Sequence, residues 1–109
     1  MKIKVGNDIV QIKRIANLKK ESLNKIFHKT ELSQSKSKPE TLAGIFAAKE
    51  ACKKVFNNLD WLDIEIKKKK NGKPILILNY QPTDAMGHDL SISHDGDYAT
   101  AIVVFTINK

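Results

Sequence analysis

The sequence predicts an α+β fold: a helical N-terminal half with a long central helix, packed on a largely antiparallel sheet. Three observations predict it. Apolar residues recur at helical spacing between residues 9 and 56. Alternating or continuous apolar runs then fill most of the chain from residue 63 to 107. Two turn dipeptides, Asn71-Gly72 and Asp95-Gly96, separate runs that antiparallel hairpins would join.

Ile3-Lys4-Val5 alternates and opens a short first strand, expected to end near Asp8. There Asp8 is a loop-edge carboxylate that either reaches a ligand or caps a turn. Ile9, Ile12, Ile15 and Leu18 keep helical spacing, with Lys13 and Arg14 on the other side. A second helical piece runs from Ser22 to Phe27, a further turn begins at Thr30-Glu31-Leu32, and Ser33 to Lys38 is a polar link. Ser37-Lys38-Pro39-Glu40 matches a capping box, with Pro39 tolerated in the first turn.

The central helix is expected over Leu42 to Phe56, ending at Asn57-Asn58. At about 3.6 residues per turn, Ile45, Ala48, Cys52, Val55 and Phe56 form a core-facing stripe. Ala43, Phe46, Ala47, Glu50 and Lys54 fall on a different side. Glu50 and Lys54 are neighbours on the helix surface, either as a solvated ion pair or as part of a site. Cys52, the only cysteine, lies on the apolar stripe and reads as a buried structural thiol.

Asp63 to Lys67 alternates as a half-buried strand, and Asn71-Gly72 supplies a tight turn after the lysine run Lys67 to Lys70, read as a solvated strand end. Pro74 to Leu78 is continuously apolar and reads as a strand buried on both faces. Tyr80 to Asp89 is a loop, Leu90 to His94 alternates, and Tyr98 to Ile107 is a long strand. No repeat or low-complexity linker divides the chain, so a single domain over 1–109 is expected.

The 109 residues carry a net charge of +7, with 41% hydrophobic and 28% charged residues. Such a balance favours an anionic partner: a nucleic acid, a phosphorylated ligand or an acidic protein. Arg14 is the only arginine and aromatics make up 6% of the chain. Both argue against a small basic nucleic-acid-binding module, the alternative that charge alone would suggest. No run approaches a membrane span, and no signal-peptide plan opens the chain, so a cytoplasmic location is expected. The common phosphate-binding and dinucleotide-binding glycine motifs, the zinc-ligand spacings and the nucleophile elbow are all missing.

What remains is a set of polar residues at element ends: Asp8, Glu50 with Lys54, and Ser93-His94. A pair of carboxylates can hold magnesium when phosphates and waters complete the shell. A lysine beside such an ion would neutralise phosphate charge, and a histidine would donate to a phosphate or act as an acid or base. Phosphoryl-type transfer, where positioning and charge neutralisation dominate, suits this inventory.

Four ordered blocks resemble the holo-acyl-carrier-protein synthases, of the 4′-phosphopantetheinyl transferase family. They are Gly6-Asn7-Asp8-Ile9-Val10 with Arg14-Ile15; Leu42 to Ala51 with Lys54; Asn71-Gly72-Lys73-Pro74; and Ser91 to Asp95 followed by Asp97-Tyr98-Ala99. The resemblance spans almost the full chain. It implies transfer of phosphopantetheine from coenzyme A to a serine of the acidic apo acyl carrier protein, in support of fatty acid and lipid biosynthesis, with adenosine 3′,5′-bisphosphate as the leaving group. It implies Asp8 and Glu50 as ligands of Mg2+, with Mn2+ as a substitute, and Lys54 on the pyrophosphate, these three forming the catalytic set. It further implies Lys49, Ser93 and His94 near coenzyme A phosphates, with His94 toward the 3′-phosphate, Gly72 and Pro74 on the adenosine side, Arg14 against the carrier protein, and a homotrimer with sites at subunit boundaries. The base for the serine proton is Asp8, another carboxylate or a metal-bound water.

Two residues depart from the family pattern. Ile45 stands where many members have arginine, and Asn7 where an apolar residue is common. The first removes a phosphate contact and leaves a coenzyme A-binding homologue with weakened transfer as a rival expectation.

Overall fold

The computed structural model describes residues 1–79 and 85–108. Its elements follow the expected order: β1 (Lys2–Gln11), α1 (Ile12–Ala16), α2 (Lys20–Ile26), α3 (Lys29–Gln34), α4 (Pro39–Val55), a short 3₁₀ turn (Trp61–Asp63), β2 (Ile64–Lys68), β3 (Pro74–Leu78), β4 (Ala85–Asp95) and β5 (Tyr98–Ile107). The strands form two antiparallel sheets, one of three strands in the order β1-β5-β4 and one of β2 with β3.

β5 is the centre of the larger sheet. It pairs with β1 from Lys2↔Ile107 to Gln11↔Tyr98, and with β4 from Ala85↔Ile107 to Asp95↔Tyr98. Its alternation sends Ala99, Ala101, Val103, Phe105 and Ile107 into the core. Gly96, with φ +57°, takes the left-handed conformation in the turn that joins β4 to β5.

β1 is longer than the sequence suggests, so Asp8 lies inside a strand, opposite Ala101, rather than at its end. Gly6 within β1 has a packing reason. A Cβ at that position would collide with the backbone carbonyl of Ala51 on α4, so glycine permits the close approach of strand and helix. Ile9 consequently belongs to β1 and is 61% exposed; it is no part of the helical row, which begins at Ile12.

α4 starts at Pro39 with Lys38 at its N-cap, and no side-chain cap closes it. Ser37 sits at φ +54°, so the expected Ser37–Glu40 capping box does not form. The expected split of α4 into a core stripe and a second side is also corrected. Leu42 through Lys49, together with Ala51 and Cys52, are all buried. A helix apolar on nearly all sides is an internal helix. Here β1 and β5 cover one side, α1 another and β2 a third, while Phe46 meets Trp61 with ring centroids 6.3 Å apart.

The β2–β3 hairpin turns at Asn71-Gly72 as expected, with Gly72 at φ +87° and the Asn71 side chain accepting from the Lys73 N–H at 3.0 Å. β3 has its expected bounds but not its expected burial. In a two-stranded sheet, only Leu76 of the five residues is buried. Of the expected loop Tyr80 to Asp89, residues 80–84 lie outside the described residues, and Ala85 to Asp89 already belong to β4.

Candidate active site

α4 carries two lysine–carboxylate pairs of opposite character. Lys49 Nζ lies 2.7 Å from Glu31 Oε1, and both side chains are 0% exposed. It also donates to the Ile26 carbonyl at 2.7 Å. Glu31 accepts from the backbone N–H of His28 at 2.8 Å and from that of Ile66 at 2.8 Å. The pair therefore ties α2, α3 and β2 to the central helix. Burial pulls Lys49 below the ordinary lysine range, against the attraction of Glu31. Lys49 is thus a sealed structural cation, and its expected place beside coenzyme A phosphates is corrected. Cys52, 0% exposed, has its thiol pushed up to about 12 by burial, in keeping with a structural role.

Lys54 is the open counterpart. Among the described residues β1 pairs with β5 and with no other strand, which leaves its second edge open. Lys54 Nζ reaches that edge, donating to the Asn7 carbonyl at 2.8 Å and meeting Asp8 Oδ1 at 3.1 Å. The Lys54 side chain is 57% exposed and that of Asp8 19%. Ser93 lines the same open cleft of about 410 Å³ as Asp8 and Lys54, together with Ser91 and Thr100.

Glu50 takes a different direction. Its Oε2 accepts from the Trp61 indole N–H at 2.8 Å and lies 3.6 Å from Lys53 Nζ, which stacks 4.1 Å above the Trp61 ring. The helix spacing that makes Glu50 and Lys54 neighbours does not pair them; each has its own partner. Among the described residues no group of three His, Cys, Asp or Glu side chains is assembled for a metal ion. Asp8 and Glu50 are nevertheless oxygen donors of the kind a hard cation takes, each partly exposed, so that a substrate's phosphate oxygens and water could complete the shell.

The remaining expected residues gather in a second cleft of about 190 Å³ between α4, β3 and β4. Gly72, Pro74 and His94 line it, with Ile45, Ile92 and Lys68. Ser93 and His94 are adjacent on β4: Ser93 lines the cleft shared with Asp8, His94 lines the second cleft, and both reach a shallow depression beside Tyr98 and Thr100. Arg14 is exposed on α1, with its guanidinium carbon 5.8 Å from the Phe46 ring centroid. Sequence reasoning missed two contributors, Glu31 and Trp61, which act through contacts between separate elements that leave no local pattern.

The family model for the 4′-phosphopantetheinyl transferase superfamily matches residues 4–103. The chain belongs to that superfamily. Among its curated relatives, the holo-[acyl-carrier-protein] synthase of Bacillus subtilis (strain 168) is 42% identical, with the match covering 92% of each chain. That of Protochlamydia amoebophila (strain UWE25) is 39% identical over 97% of this chain and 99% of its own. The crystal structure of the Helicobacter pylori holo-[acyl-carrier-protein] synthase in complex with coenzyme A superposes with a TM-score of 0.84 at 32% identity, covering 94% of this chain and 100% of that one. The Bacillus anthracis synthase structure, in complex with CoA (3′,5′-ADP), gives 0.80 at 33% identity over 96% of each. The α+β fold expected from the sequence is therefore that of the phosphopantetheinyl transferases, and the four-block resemblance holds.

Proposed function

We infer that the chain transfers the 4′-phosphopantetheine group from coenzyme A to a serine of apo acyl carrier protein, giving the holo carrier and adenosine 3′,5′-bisphosphate. The observation that carries this reading is the match, over nearly the whole of both chains, to a synthase structure holding coenzyme A. In the reaction the serine oxygen forms a phosphoester as the phosphoanhydride bond of coenzyme A breaks.

Lys54 binds the pyrophosphate and offsets charge developing on the leaving phosphate; its ammonium is exposed and already held at the edge of β1. Asp8 and Glu50 hold magnesium or manganese, and Trp61 fixes the carboxylate orientation of Glu50. When bound, that ion supplies further neutralisation of the pyrophosphate. Ser93 faces the cleft beside Asp8, where a phosphate oxygen can accept from its hydroxyl. Gly72, Pro74 and His94 take the adenosine side, for which the apolar second cleft is suited.

Arg14, with Lys13 beside it on α1, receives acidic residues of the carrier. No helix among the described residues is long and apolar enough to cross a membrane. We place the enzyme in the cytoplasm, as one domain over 1–109, serving fatty acid and lipid biosynthesis. It assembles as a homotrimer: Ile3, Val5, Ile9 and Ile102, each at least 43% exposed, share the outer face of the β1-β5-β4 sheet, and a second copy would cover them.

The experiment follows adenosine 3′,5′-bisphosphate by chromatography. Its release should require coenzyme A, magnesium and a cognate apo carrier, and should vanish when the acceptor serine of the carrier is replaced by alanine. Release that ignores the serine, or no release with a cognate carrier, would overturn the reading.

A further inference from the structure

The sequence sets Glu50 beside two lysines on α4, three and four positions on. The fold gives these lysines different partners. Lys54 turns to Asp8 on β1, while Lys53 turns to Glu50, with its Nζ 3.6 Å from Oε2. The reason lies outside the helix. Trp61 opens the 3₁₀ turn that follows α4, and Asp60 and Asp63 close that turn with a capping box. The indole packs near Phe46 and donates to Glu50 Oε2 at 2.8 Å. The Lys53 ammonium lies over the same indole, 4.1 Å from the ring centroid. An aromatic face, a carboxylate and an ammonium thus hold one another, each half-buried.

Among the described residues both contacts of the Glu50 carboxylate use Oε2, which leaves Oε1 as the oxygen for a further cation. Its charge is nonetheless already matched by Lys53, as that of Asp8 is by Lys54. Two carboxylates and two ammonium groups sum to no net charge. Affinity for a hard cation follows the charge of its ligands, so a divalent ion meets little attraction from the chain alone. An anionic phosphate ligand would supply the missing negative charge.

We propose that Lys53, stacked on Trp61, is an internal counter-cation of Glu50 that competes with a divalent ion for this carboxylate. This deepens the functional reading above and rests on it for Glu50 as a ligand. The ion then binds the free chain weakly and binds better once substrate phosphates are present. The competition is one of charge, so Glu50 need not leave the indole N–H. Trp61 is the only tryptophan and lies at the exchange, so its fluorescence reports it.

The test titrates the full chain with Mn2+, counting the free ion by electron paramagnetic resonance, for the wild type, Lys53→Met and Lys53→Arg. Methionine keeps an unbranched apolar stem on the indole and a good helix former in α4 while removing the charge. Lys53→Met should bind Mn2+ about fivefold more tightly, the scale of one partly exposed ion pair, and Lys53→Arg should match the wild type. In a Glu50→Gln background the same change should leave Mn2+ affinity unaltered, which separates this pair from the general effect of removing a lysine. Titration with Mg2+, followed by Trp61 fluorescence, should give the same order of affinities. In transfer assays Lys53→Met should need less Mg2+ to reach half its maximal rate. Equal Mn2+ affinity of wild type and Lys53→Met would overturn the assignment, as would an equal gain in the Glu50→Gln background. Mn2+ held equally by wild type and Glu50→Gln would remove Glu50 as a ligand, and the role of Lys53 with it. The predicted binding beside an unmodified carrier would count against the transferase reading alone.

Discussion

Lys49 and Lys54 lie five positions apart on one helix, and each meets a carboxylate from a distant part of the chain. The Lys49–Glu31 pair is closed at 2.7 Å with both side chains at 0% exposure, and backbone groups of His28, Ile66 and Ile26 complete it. The Lys54–Asp8 pair is looser, at 3.1 Å, and open to solvent. The closed pair leaves a substrate no access, and breaking it would strand a charge in the core. The open pair stabilises little, because water already solvates both partners, and it can exchange its contacts for those of a phosphate. The environment around the helix, rather than the residue type, divides a brace from a site.

The largest expected effect is on the closed pair. Lys49→Met should destabilise the chain by about 3–5 kcal/mol in urea unfolding, because Glu31 keeps its burial and loses its cation. Adding Glu31→Gln should recover part of that loss. A single variant within about 1 kcal/mol of wild type would erase the distinction between the pairs. The open pair should respond the other way. Lys54→Ala should unfold within about 1 kcal/mol of wild type, yet lose transfer by about 100-fold or more, the scale of removing one donor to a developing charge. A stable, fully active Lys54→Ala would remove the lysine from the chemistry.

The last effect is confined to alkaline pH and sharpens how sealed the interior of α4 is. The Cys52 thiol is raised from 9.0 to about 12 in the folded chain. Between those values the unfolded chain releases the thiol proton while the folded chain retains it, so the unfolded state binds fewer protons and stability falls as pH rises. This thiol should contribute a loss approaching about 1.4 kcal/mol per pH unit in that window, and none below it. Comparing wild type with Cys52→Ala across the window isolates it from lysine titration. A difference between the two that stays flat with pH would place the thiol in contact with solvent.

Much of the architecture was legible locally. β3 and β5 have the bounds their apolar runs predict, and the glycine turns fall where Asn-Gly and Asp-Gly place them. β1 was cut short because Asp8 also suits a turn or a cap, and the reason for Gly6 lies in the Ala51 carbonyl across from it. The helix wheel could rank faces of α4 but could not count the neighbours covering them, so it put Phe46 on a separate side, while the family resemblance put Lys49 beside a ligand. Asp8 and Lys54 are 46 positions apart, and spacing alone gave no reason for them to meet. The resemblance between ordered motifs gave one.

The most direct measurement is the intact mass of a cognate apo acyl carrier protein after incubation with this chain, coenzyme A and magnesium. A gain of one phosphopantetheinyl group per carrier, lost with Lys54→Ala on the same timescale, is the predicted result. A carrier of unchanged mass with wild-type enzyme would contradict the account.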